Sequence, residues 1–408
     1  MATTAASQAA PPAHPSSGGR GSAEQAYEAI RARRRFQMQI VAHLLFVVSG
    51  FLVALYLHDW NVVRPAVVRG LVVGAVLGAI FAWLVPWLVQ DKKTAPYVFV
   101  SPFFILFFTF GVFPILFSLF LSFQFWDPTT GVEGMKFAGF EKVNGFPVPV
   151  NYYDAFTDKD FVAWQRGAAW NTFVIAVLSG VPQHLVGMPL AYFFHTSYKR
   201  LRNVITGAYF LPFITSSVAI ALIFSSLFSK DFGVINAALD SLARIPGMGW
   251  IPHGENHIHW LGKAENVKPA ISFVVWWRYL GWNTVLYLSA LQAIPNDLFE
   301  AAEMDGASRW QTFSRVVLPL LRPMMLFAVT LTIIGNFQLF EEPFIITGER
   351  GGIESSGMTA AMYMYRYMNQ FEYGIASAIS WILFVVIAFL TWLNQMIFSR
   401  QRGAEGVA

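Results

Sequence analysis

Apolar runs of about 20 residues, the length of helix that crosses a hydrocarbon core, recur at eight places along the chain: near 37–57, 69–89, 97–122, 170–193, 204–228, 271–291, 316–339 and 374–397. A chain in lipid must satisfy its backbone N–H and C=O groups internally, so the pattern predicts eight transmembrane helices. The second run is rich in Gly and carries Pro86, features that neighbouring helices can accommodate. Two longer polar segments, 124–169 and 229–270, mix Pro, Gly, Trp and Tyr without helical periodicity and read as partly ordered caps over the bundle. The first 30 or so residues are Ala, Ser, Pro and Gly with few large apolar groups, the pattern of a disordered tail. The first apolar run begins only after the basic stretch Arg31–Arg35, too late for a signal peptide, and reads as a retained anchor.

Composition strengthens this picture. Of the 408 residues, 55% are hydrophobic and 13% charged, against about 45–50% and about 25% in ordinary soluble domains. The 39 Phe and 14 Trp suit lipid-facing surfaces and interfacial belts. There is no cysteine, which excludes a disulfide framework, a thiolate nucleophile and Cys-based metal or redox chemistry. The net charge of +4 is dispersed between apolar runs rather than gathered into a patch, so the expected partner is the lipid bilayer and not nucleic acid.

With the N-terminus inside, the inside segments carry Arg31–Arg35, Lys92 and Lys93, the KRLR of Lys199–Arg202, Arg309 and Arg315, and a basic C-terminal SRQRG. That is the asymmetry expected of cytoplasmic loops, and it places both termini inside and both long polar segments outside.

One inside loop, EAAEMDGASRWQTFSRVVLPLLRP from Glu300 to Pro323, is unusually patterned. Pro295 ends the preceding span, and Asp297 followed by Glu300 reads as an N-cap with its capping-box partner. Gly306 supplies a turn, Ser308 caps a second short helix with Gln311 at the reciprocal position, and Pro319 and Pro323 mark entry into the next span. The expected unit is helix, turn, helix. Alanines beside a glycine permit close approach of another backbone, so the unit suits docking in a groove; an amphipathic connector at the lipid headgroups is the alternative.

The loop resembles the EAA motif of permease subunits of ATP-binding-cassette importers, matched here by Glu300, Ala301, Ala302, Asp305, Gly306, Ala307, Leu318 and Pro319. The resemblance extends through NYYDAF at Asn151, WNTF at Trp170, the span from Phe210 to Asn236, NFQLFEEPFIIT at Asn336 and MYMYRYMNQFEYGIASAIS at Met362. It covers about residues 95–398 and is nearest to the larger permease of maltose-type sugar transporters; GERGG at Gly348 departs from the tighter G-G-P of such subunits.

The resemblance implies an all-α integral membrane fold, with about eight transmembrane helices of which six form a type I importer core. The implied divisions are a cytoplasmic tail at 1–35, two extra spans in 36–94, a core at 95–398 with its coupling loop at 295–323, and a short tail at 399–408. It implies an ATPase dimer, a second homologous permease and an extracytoplasmic solute-binding protein as partners, in a bacterial or archaeal plasma membrane. The chain has no G-x-x-x-x-G-K-[ST] loop to cradle phosphates. No bound cofactor is expected; ATP and Mg would be used by the partner ATPase.

Polar groups at membrane depth are candidates for lining a solute pathway. Asn336, Gln338, Glu341 and Glu342 stand together near the end of the seventh span, at spacings that cannot share one helical face. The resemblance places sugar contacts at Asn336 and Gln338; interhelical bonding is the alternative role for such amides. Trp277, Asn283 and Tyr287 on the sixth span and Ser225 and Ser226 on the fifth are weaker candidates. Two carboxylates near the path disfavour an anionic solute and favour a neutral sugar; Arg278 weakens this unless it snorkels or pairs with a carboxylate. His253, His257 and His259 could in principle gather around zinc but read more simply as a solvated loop, so no metal site is expected. No catalytic set stands out. A self-sufficient secondary transporter remains the alternative, though no clear inverted repeat supports it.

Overall fold

The structure is a computed structural model that describes residues 95–197 and 202–399. The expected tail and the spans at 37–57 and 69–89 lie outside the described residues, as do most of the basic KRLR and SRQRG groups. The chain forms two units, 1–114 and 115–408. In the first, the described residues carry α1 (Ala95–Leu106) and a π-helical turn, Phe107–Val112. Pro114 has no N–H for the carbonyl four residues back, and the wider turn just before it absorbs the irregularity. Helix α2 (Phe113–Leu121) follows.

The segment 124–167 is ordered by two antiparallel hairpins, β1 (Gln124–Phe125) with β2 (Lys136–Phe137) and β3 (Phe140–Val143) with β4 (Phe146–Pro149), followed by α3 (Val150–Thr157) and α4 (Lys159–Val162). The bundle is then built from α5 (Ala168–Ser197), α6 (Arg202–Ile214) and α7 (Ser217–Leu227), and after α8 (Val234–Ala243) from α9 (Ala264–Gln292). The loop that follows holds α10 (Asn296–Met304), α11 (Arg309–Thr312), a second π-helical turn at Phe313–Val317, and α12 (Leu318–Leu320). This π turn also precedes a proline, Pro319. Last come α13 (Arg322–Phe337), α14 (Glu341–Thr347), α15 (Ala360–Asn369) and α16 (Tyr373–Ser399).

Four helical segments among the described residues are long and apolar enough to cross a membrane: Phe103–Leu121, Ala168–Ser197, Arg322–Thr347 and Tyr373–Phe398. The expected span at 204–228 is broken: α6 and α7 meet at 91°. The sixth expected span exists as the 29-residue α9, yet it is not among the apolar four. Its reason lies in packing. Helix α9 runs against α5, α6 and α13, and buries Ser272, Asn283, Thr284 and Tyr287 along with its aliphatic residues. A helix surrounded by protein need not be solvated by lipid, so it can carry groups that hydropathy counts against it. Gly281 marks the closest approach: a Cβ there would stand 1.7 Å from the Tyr209 carbonyl oxygen of α6.

Two main apolar clusters stack along the α5–α9 pair. One joins Ile175, Phe224, Ile271, Val275 and Ile346; the other, an inner cluster nearer the 295–323 loop, joins Met188, Tyr287, Leu291, Phe313 and Leu321.

Candidate functional site

The loop between α9 and α13 folds as helix, turn, helix. Pro295, with φ −56°, takes the N-cap position of α10, so Asp297 is not the N-cap. Asp297 lies inside the first turn, where its carboxylate still complements the helix dipole, and the expected box with Glu300 does not form. The C-terminus is a Schellman motif: the Ala307 N–H donates to the Ala302 carbonyl (2.9 Å), the Gly306 N–H to the Glu303 carbonyl (3.0 Å), and Gly306 takes φ +73°. The second box forms as expected. Ser308 Oγ accepts from the Gln311 N–H at 3.3 Å, and Gln311 Oε1 accepts from the Ser308 N–H at 2.7 Å.

Phe299 and Ala302 anchor α10: Phe299 packs on the inner cluster and its ring lies 5.5 Å from that of His195, while Ala302 is buried. Glu300, Ala301, Asp305 and Gly306 are exposed, Ala307 is half-buried, and Met304 is 88% exposed. Leu318 and Pro319 are half-buried, Leu318 against the inner cluster. The result is a small-residue helix held at its base and open along its outer face.

The polar candidates near the end of α13 point to four different neighbours. Asn336 is buried and donates to Ser179 Oγ (3.0 Å) and the Ala176 carbonyl (3.2 Å), joining α13 to α5. Gln338 closes α13 on an exposed face and lines a pocket of about 540 Å³. Glu341 accepts from the Ser217 hydroxyl at the start of α7, beside the 91° break. Glu342 is 2% exposed and pairs with Arg278 of α9, which also donates to the Thr215 carbonyl (3.4 Å) at that break. Arg278 thus pairs with Glu342, and among the described residues no salt bridge reaches Glu341.

The remaining candidates do not converge on that pocket. Asn283 donates to Gln183 Oε1 (2.9 Å), and the Tyr287 hydroxyl meets His184 Nδ1 (2.7 Å), both inside the α5–α9 contact. Ser225 bonds back to the Leu222 carbonyl (2.9 Å), Ser226 is exposed, and Trp277 packs edge-on against Phe224. In the 229–263 segment, His257 Nε2 sits 3.0 Å from both carboxylate oxygens of Asp240, and His253 Nδ1 lies 2.6 Å from the Ile251 carbonyl. The Gly254 N–H, then His257, hold the Asp240 carboxyl below its usual range.

Three further polar side chains organise the opposite end of the bundle from the α10 loop. Asn171 Nδ2 lies within hydrogen-bond distance of the carbonyls of Ser355 (2.9 Å), Met358 (3.0 Å) and Arg166 (3.2 Å), and Thr172 Oγ1 accepts from the Ala360 N–H (2.8 Å). Asn151 clamps the carbonyls of Ser122 and Gln124. The sequence marked these residues only through the quoted N-Y and N-T pairs; apart from Arg166, the partners named here are 27 to 188 positions away.

A family model described as binding-protein-dependent transport system inner membrane component matches residues 169–403, more than half the chain. The chain belongs to this family. It is 32% identical over 310 residues to the lactose transport system permease protein LacF of Rhizobium radiobacter, covering 75% of this chain and 94% of that one. It is 27% identical to the arabinooligosaccharides transport system permease protein AraP of Bacillus subtilis, over 74% of this chain and 88% of that one. A crystal structure of a bacterial alginate ABC transporter in complex with alginate pentasaccharide-bound periplasmic protein contains a chain of the same fold. That chain matches with a TM-score of 0.60 at 21% identity, over 77% of this chain and 97% of its own length. The protein is therefore a multi-pass membrane permease component of an ABC importer, not a catalytic subunit, and the self-sufficient secondary transporter is set aside.

Proposed function

We propose that this chain forms half of the translocation pathway for a neutral mono- or oligosaccharide. It would take energy from a separate ATPase dimer through α10, pair with a second homologous permease, and receive solute from an extracytoplasmic binding protein. Both termini would be cytoplasmic. ATP and Mg would be bound by the ATPase. The observation that carries the coupling role is α10 itself, anchored by Phe299 and Ala302 while Glu300, Ala301 and Asp305 stay exposed beside a left-handed Gly306. A short helix with a small-residue face, fixed at its base, transmits a push from a docked partner to the inner apolar cluster. The neutral solute follows from charge. Glu341, which makes no salt bridge among the described residues, repels an anion, whereas hydroxyl groups can donate to it. The names of the relatives support a sugar.

The test is Gly306→Pro. Proline fixes φ near −65°, against the +73° seen here, so the Schellman turn cannot form. Membrane insertion and subunit assembly should persist while solute-stimulated ATP hydrolysis separates from uptake. Normal, coupled uptake by this variant would remove α10 from the coupling role.

A further inference from the structure

Helices α5 and α9 meet through a buried polar quartet. Gln183 and His184 stand on α5, and Asn283 and Tyr287, one turn apart, on α9; none of the four is more than 9% exposed. Two bonds cross the seam: Asn283 Nδ2 donates to Gln183 Oε1 (2.9 Å), and His184 Nδ1 meets the Tyr287 hydroxyl (2.7 Å). Three polar atoms of the quartet are left over. Among the described residues, Gln183 Nε2, Asn283 Oδ1 and His184 Nε2 are each buried and without a hydrogen-bond partner.

Turning side chains does not remove the remainder. Rotating both amides by half a turn exchanges N and O in the bond between them and again leaves one NH2 group and one carbonyl oxygen unmatched. The second imidazole nitrogen, donor or acceptor by tautomer, needs a partner of its own. Gln183 and His184 lie midway along the apolar span Ala168–Ser197, where lipid offers a polar group nothing to bond. Room for a partner exists on the same face. A Cβ at Gly187, one turn on from both residues, would meet nothing nearer than Thr284 Oγ1 at 3.5 Å and would stand 3.8 Å from Asn283 Cβ. The leftover atoms also select the occupant. A cation would face the NH2 group, an anion would face the carbonyl oxygen, and an apolar group would satisfy none of the three. Water both donates and accepts, and buried waters typically make about three such bonds.

We propose that the α5–α9 seam binds at least one buried water, held by the Gln183 and Asn283 amides with His184 Nε2 as a third partner. The quartet is then a closed, hydrated joint between two helices. Asn283 and Tyr287, candidates for the solute pathway by sequence, serve this joint instead. Tyr287 also belongs to the inner cluster on which Phe299 of α10 packs, so the joint adjoins the support of the coupling loop.

The assembled, full-length transporter in lipid nanodiscs is imaged by electron cryo-microscopy at a resolution that shows ordered water. A density peak is expected within about 3.2 Å of at least two of the three leftover atoms. The double variant Gln183→Met with Asn283→Leu removes both amides at similar volume and should lose that peak. Amides joined face to face by two bonds, with no peak beside them, overturn the site. A peak ringed by oxygens at about 2.3–2.6 Å, the distance of a bound metal ion, also overturns it. A second measurement does not need the double variant to assemble. In solid-state NMR of the parent transporter, the Gln183 side-chain NH2 signal is identified by its loss in Gln183→Met. Magnetisation from water should reach that signal severalfold faster than it reaches the helix-bonded backbone N–H groups of the adjoining turn. Transfer no faster than to those groups overturns the hydrated joint.

Discussion

Replacing Asn171 isolates the energetic role of a single amide. Its side chain is fully buried and reaches the carbonyls of Ser355, Met358 and Arg166 at 2.9, 3.0 and 3.2 Å, so it pins the 348–358 turn to the start of α5. An amide has two N–H donors, so the three contacts count as two bonds, one of them shared. Each contributes about 1 kcal/mol net, and a buried carbonyl left unpaired costs about 1–3 kcal/mol more. The Ser355 carbonyl keeps a second partner in the Met358 N–H and Arg166 is exposed, so one such penalty is added, at the Met358 carbonyl. Asn171→Ala should therefore cost at least about 3 kcal/mol, or roughly 6–12 °C in melting temperature at about 2–4 °C per kcal/mol. Asn171→Asp should cost more, because it aims a carboxylate at carbonyl oxygens. Thermal unfolding in mild detergent at a fixed scan rate measures both. Trypsin cleavage after Arg350, exposed in the same turn, should accelerate in the variants. A melting temperature within about 2 °C of the parent for Asn171→Ala, or an Asp variant no worse than the Ala one, refutes the clamp.

Gly281→Ala should lower thermal stability by about 1–3 kcal/mol, since its Cβ would meet the Tyr209 carbonyl at 1.7 Å and force α6 away from α9; unchanged melting would refute this. Glu342→Gln should cost about 3–5 kcal/mol by stranding the Arg278 guanidinium, whereas the double variant Arg278→Met with Glu342→Leu should lie closer to the parent. A double variant as damaged as the sum of the singles would count against a simple pair. Burial pushes the Asp158 carboxyl up, but bonds from Tyr363, the Asp160 N–H and Tyr367 outweigh it and hold the group below its ordinary 3.8. Its stabilising contribution is complete above that value and is lost as pH falls through the lower folded-state value. Asp158→Asn should flatten the acid limb of a stability-pH curve below about pH 4 and leave the curve's shape between pH 5 and 8 unchanged; a change in slope at neutral pH would sink the assignment.

Features that depend on near neighbours can be read from the order of residues alone. Apolar run length locates α5, α13 and α16 to within a few residues, because lipid solvates a helix according to its own composition. The Ser308–Gln311 box and the Gly306 turn were legible for the same reason, since each is made within five residues. Even locally there was competition: Pro295 displaced Asp297 as the helix start. The tertiary structure decided everything that depends on partners far along the chain. Hydropathy undervalues α9, whose neighbours are helices rather than lipid. Asn336, Gln338, Glu341 and Glu342 look like one cluster in sequence, yet they face α5, a pocket lined by α15 and α16, Ser217 and Arg278 in turn. Helical periodicity tells which positions share a face and at what depth. Which element covers that face, and so whether a polar group is bonded within the bundle or left open to a solute, is fixed only when distant helices pack.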